Sequence, residues 1–109
     1  MRMMTTIARD ISAGAYQGVI YQAGMDVLLG DPSGGGILTY RQAHARDEMV
    51  FVACHESHTP VAWDYAGGYK TDEAGRLTPV LAGHLNTVLA SCRVFEQLDD
   101  DVVASLATS

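Results

Sequence analysis

Thr78-Pro79-Val80-Leu81-Ala82-Gly83-His84-Leu85-Asn86-Thr87-Val88-Leu89-Ala90-Ser91-Cys92-Arg93-Val94-Phe95 is the stretch on which the fold turns. It supports two readings. Leu81, Leu85, Val88, Cys92 and Phe95 recur at alternating spacings of four and three, which is helical periodicity. Thr78 then serves as N-cap, with Pro79 at the first helical position. Against this, Gly83 costs a helix about 1 kcal/mol relative to alanine. Asp99, Asp100 and Asp101 would also crowd a helix C-terminus, where the dipole favours cations. The second reading is a strand from Val80 to about Leu85, a helical turn around 86–90, and a separate helix from about Asp100. Asp99 caps that helix, and Val102, Val103 and Leu106 share one face.

Upstream, the chain reads as strands and turns. Tyr16 to Tyr21 is rich in β-branched and aromatic residues beside glycine. Met25 to Leu29 is a second short apolar run. Gly30-Asp31-Pro32-Ser33-Gly34-Gly35-Gly36 is an open loop without the Gly-Lys-Ser/Thr ending of a phosphate loop. Ile37 to Tyr40 resumes a strand, and Arg41 to Glu48 is a polar helical turn or loop. Met49 to Cys54, continuously apolar, reads as a central strand. Val61 to Tyr65 is strand-like, and Ala66-Gly67-Gly68 reads as a hairpin turn into Tyr69-Lys70-Thr71. The fold class expected is α+β: mainly short antiparallel strands in one domain, residues 1–109, with one or two C-terminal helices.

At 109 residues the chain is large enough for one core without staples. Its net charge of −6 is uneven. Residues 1–46 hold four arginines and three aspartates, whereas residues 47–109 hold three bases and ten acids. So little basic charge argues against direct nucleic-acid binding. The acidic half suits a basic partner or simple solubility. No secretory leader or membrane-spanning apolar run is visible, so the expectation is a cytoplasmic protein with two free thiols, Cys54 and Cys92, with a bridge between them as the alternative.

Ala53-Cys54-His55-Glu56-Ser57-His58 concentrates metal-binding and proton-transferring groups. Its histidines are three apart, unlike the helical four-residue spacing of zinc proteases. On an extended strand Cys54, Glu56 and His58 would share a face and offer three zinc ligands, with His44 or His84 as a fourth. A cysteine nucleophile would use His58 or His84 with Asp64 or Glu56. The bland alternative is a strand running into a polar loop with Cys54 buried. Trp63, Tyr65 and Tyr69 would form an aromatic face across the hairpin, serving the core or contacting a partner.

Pro79 to Leu89, followed by Asp100 to Leu106, resembles the ending of lambda-type tailed-phage head decoration proteins: an apolar strand, a glycine, an apolar residue with asparagine, then a short final helix. The resemblance spans about thirty residues, and Tyr40–Glu48 and Cys54–His58 have no counterpart in that pattern. It implies a non-catalytic structural protein that sits on a capsid as trimers and clamps shell subunits, found in the virion and needing no cofactor. Two other roles stand beside it. One is a small acidic inhibitor of a basic partner; the other is a metal- or cysteine-dependent enzyme using Cys54–His58. The partners expected are other protein subunits or further copies of the chain, with no nucleic acid and no membrane.

Overall fold

A computed structural model describes residues 2–96. The order of elements is α1 (Arg2–Ser12), β1 (Val19–Gly24), α2 (Tyr40–Glu56), β2 (Val61–Ala66) and α3 (Thr78–Phe95). The strands pair in parallel, with Val19 opposite Val61 and Gly24 opposite Ala66. β1, α2 and β2 are therefore a βαβ crossover, not the expected antiparallel hairpins, and helix predominates over strand. The connection explains the difference: parallel strands need a long crossover, and residues 25–60 supply one.

Met49 to Cys54 is the largest correction. It is the second half of α2, not a central strand. A short apolar run cannot by itself distinguish a buried strand from a buried helix turn. The helix is set further upstream, where Thr39 and Gln42 form a capping box. The Gln42 N–H donates to Thr39 Oγ1 at 3.2 Å, and the Thr39 N–H donates to Gln42 Oε1 at 2.9 Å. These bonds satisfy two donors that a helix start leaves orphaned. Thr39→Ala should therefore cost about 1 kcal/mol, read as a lower urea midpoint at unchanged slope.

α3 is one unbroken helix, so the strand over Val80–Leu85 that the decoration resemblance requires is absent. The N-cap is Leu77, without a side-chain bond; Pro79 occupies the first turn, as expected. The expected helix from about Asp100 lies outside the described residues. Ile37–Tyr40 forms no strand, only a bridge between Leu38 and Leu28.

The three helices pack on one side of the sheet, with α2 touching both α1 and α3. Ile11, Val50, Ala53 and Cys54 form one core cluster, Met25, Leu28, Ala43 and Val80 a second, and Phe51, Ala90 and Val94 a third. Tyr21, Val61 and Trp63 meet these helices from the sheet. The opposite sheet face is open: Gln22, Ala62 and Asp64 are exposed, and Ile20 is 84% exposed.

One polar cluster ties the layers together. Asp47 is fully buried. It accepts from the Tyr21 hydroxyl, from Arg46 Nε at 3.0 Å and Nη2 at 2.9 Å, and from Thr87 Oγ1 at 2.5 Å. Arg46 Nη1 donates to the Gly24 carbonyl at 2.9 Å. Burial, then the Asp47 carboxylate, pushes the Tyr21 phenol far above its usual range. β1, α2 and α3 are thus joined through one carboxylate whose acceptor sites are well used.

Candidate functional site at the carboxyl ends of the strands

The Cys54–His58 cluster does not assemble. Residues two apart on a helix lie about 200° apart around its axis, so Cys54 and Glu56 diverge. Cys54 is buried beside Ile11 and Val50, where burial raises its thiol pKa. The His55 ring meets Phe95 edge-on at 5.7 Å. Glu56 and His58 are exposed, and His58 turns the chain at φ 55°. His44 contacts the Asn86 carbonyl at 3.2 Å and Glu48 at 3.0 Å, while His84 lies against β2. Among the described residues no three metal-ligating side chains converge.

Trp63 and Tyr65 do share a face, with ring centroids 5.6 Å apart. Trp63 also meets Phe51 at 5.9 Å, which makes it a core residue. Tyr65 and Tyr69 are exposed. Tyr69 belongs to the segment after β2, not to a returning strand.

A different set of groups gathers where both strands end. In open parallel sheets, ligands bind beyond the carboxyl ends of the strands, because the connecting loops converge there. Here β1 runs into Met25 and Asp26, and β2 into Gly67, Gly68 and Tyr69. Asp26 is exposed. A Cβ placed on Gly67 would meet its carboxyl carbon at 3.5 Å, and one on Gly24 would meet its Oδ1 at 3.1 Å. The backbone of both strand ends thus lies against this one carboxylate.

Close packing leaves no room for a side chain at Gly36 or Gly68. Gly68 sits at φ 110°, and a Cβ there would stand 2.8 Å from Val80 Cγ1 and 3.0 Å from Met25 Cβ. Gly36 crosses the Leu28 carbonyl so closely that a Cβ would overlap its oxygen. The buried Asp31 links the two loops, accepting from the Tyr69 N–H and the Ser33 N–H, each at 2.8 Å. Bonds from Ser33 and Tyr69 hold its carboxyl below the usual range. The Tyr69 phenol is therefore displayed from a fixed backbone.

His84 completes the edge. Its ring lies 4.8 Å from that of Tyr65. Burial lowers its pKa, which favours the neutral imidazole. Its Nδ1 is buried with no hydrogen-bond partner. Lys70 Nζ is turned away to the Leu29 carbonyl at 2.8 Å. The edge therefore offers one carboxylate and two phenols, Asp26, Tyr65 and Tyr69, suited to binding hydrogen-bond donors and positive charge, beside a half-buried neutral imidazole. Sequence reading overlooks Asp26 because its neighbourhood depends on strand direction, though Gly67-Gly68 marks the place.

Compared with protein-family models, curated proteins and solved structures, the chain matches none.

Proposed function

We propose that this chain binds a small cationic or N–H-donating ligand at the carboxyl ends of β1 and β2, with Asp26 as the polar anchor. The observation that carries this reading is the exposed Asp26 carboxylate, set against the backbone of Gly24 and Gly67 at the joined strand ends. A backbone confined by close contacts typifies functional sites, where precise placement outweighs local strain. Tyr69 follows Gly67 and Gly68 in the chain, and His84, on which burial favours the neutral ring, adds no competing positive charge.

The test is a titration of the isotope-labelled chain with n-butylamine and with guanidinium, using acetate as the anionic control. Amide shifts should concentrate at residues 24–26 and 67–69 for the two cations and be absent for acetate. Asp26→Asn should weaken the response about tenfold or more, the worth of a hydrogen bond to a charged group. Because Asp26 is exposed, the same variant should keep its stability within about 0.5 kcal/mol. Shifts centred elsewhere, or an unchanged response in Asp26→Asn, would sink the proposal.

The capsid decoration role stands behind this reading, because Pro79–Leu89, one of the two parts that carried the resemblance, is helix. Sedimentation with empty shells is its direct test. Among the described residues no helix is long and apolar enough to cross a membrane.

A further inference from the structure

Among the described residues, the flank shared by β2 and α3 is apolar and has no neighbour. The Val19 N–H donates to the Pro60 carbonyl at 2.9 Å, and the Met25 N–H to the Ala66 carbonyl at 3.0 Å. This parity turns the even-numbered residues of β2 towards β1, so the backbone groups of Val61, Trp63 and Tyr65 face outward. The sheet has two strands among the described residues, and no third meets that edge.

α3 adds an apolar stripe to the same flank. Its buried face carries Val80, Gly83, Thr87, Ala90 and Val94. His84, which rests on Tyr65 of β2, lies about 60° round the helix from Thr87. Leu81 and Leu85 lie further round in the same sense, away from the side where Arg93 reaches Glu48 of α2. They are 64% and 52% exposed. Leu77 extends the stripe at one end, and half-buried Val88 and Cys92 extend it at the other. A helix apolar on two faces is normally covered on both.

We infer that this flank is an interface between two copies of the chain, related by a two-fold axis, with α3 of one against α3 of the other. Charge supports a like copy as the occupant. The chain carries −6 overall, yet the 18 residues of α3 hold one formal charge, Arg93, which is paired with Glu48 at 2.8 Å. Two acidic copies can therefore meet through α3 without opposing carboxylates from that helix. A stripe about 27 Å long and about 10 Å wide, together with the β2 edge, would bury on the order of 500 Å² per copy, near the lower limit for a specific pair. A two-fold contact uses the same stripe twice and closes on itself. Asp26 and Gly67 take no part, although Tyr65 and His84 border both surfaces, and sedimentation reads the pairing without any ligand present.

Sedimentation velocity of the full chain from about 1 µM to about 1 mM covers the affinities of such small interfaces. The chain should pass from monomer to dimer and stop there. Leu81→Lys with Leu85→Lys should raise the dissociation constant at least about 100-fold, since it places unpaired charges at the contact. Both side chains are mostly exposed, so far-ultraviolet circular dichroism should show the fold intact. Ile20→Lys, on the open sheet face, should associate like the unmodified chain. A monomer at every concentration, growth beyond two copies, or dissociation by Ile20→Lys alone would each overturn the inference.

Discussion

Asp47→Ala should cost about 3–5 kcal/mol, because it strands a buried guanidinium. The carboxylate is fully buried and receives Tyr21, both Arg46 contacts and Thr87. Its removal leaves Arg46, 7% exposed, without its counter-ion and the Tyr21 hydroxyl without its acceptor, while Thr87 keeps the Gly83 carbonyl at 3.3 Å. Each unsatisfied buried group adds a desolvation cost of about 1–3 kcal/mol, although these losses share one network and will not simply add. For a domain of this size, 1 kcal/mol shifts Tm by about 4–8 °C, so a fall of about 15 °C or more is expected. Urea unfolding gives the direct measurement. A loss below about 1 kcal/mol would mean that water or rearrangement replaces the carboxylate, contradicting the buried network. The double variant Arg46→Met with Asp47→Leu separates charge from packing. It removes both ions together and should recover part of the loss, since apolar replacement of a whole buried pair is often tolerated.

Phe51→Ala is the second large effect, again about 3–5 kcal/mol. The ring is fully buried. It meets Tyr21 at 5.8 Å, Trp63 at 5.9 Å and Phe95 at 5.8 Å. One side chain on α2 thereby touches β1, β2 and α3, and its truncation opens a cavity at their junction. Edge-on ring pairs contribute about 0.5–1.5 kcal/mol beyond burial, so Phe51→Leu, which restores most of the volume but no ring, should recover part of the loss. Denaturant unfolding of the two variants, with Trp63 fluorescence as the probe, orders them. Equal losses would show that the cavity does not govern the cost.

Several elements are legible from residue pattern alone. Val19 to Tyr21 and Val61 to Tyr65 are β-branched and aromatic, and both are strands. The glycine-rich segment 30–36 is a loop. The spacing in α3 identifies a helix but points to the wrong face. Leu81 and Leu85 lie outside, whereas Gly83, Thr87 and Ala90 pack inside with Leu89, and the small residues allow close approach. Hydrophobicity does not encode that preference. α2 is hidden because Tyr40–Glu48 is polar while its buried members include Arg46 and Asp47, which cover each other's charge. The better signal there is Thr39 with Gln42. α1 escapes notice although Met4, Ala8 and Ile11 follow helical spacing. Strand direction is the deepest gap. Gly67-Gly68 reads as a hairpin, and only the parallel register carries Asp26 to the same edge as Tyr69. The cysteine–histidine cluster is plain in the sequence yet is scattered by the helix beneath it.

The crossover that builds the sheet also constrains the order in which the chain can fold. Val19 and Val61 are direct partners although 42 positions apart, and closing a loop of that length costs about 3 kcal/mol of chain entropy. Two short strands return little against that cost by themselves. α2 must already be formed and seated, with Phe51 and Val50 available to both strands, before their pairing becomes favourable. On this ground the sheet should form late, after the helices assemble, and not serve as their template. Mutations in α2 should slow folding, whereas equally costly changes in the strands should mainly hasten unfolding.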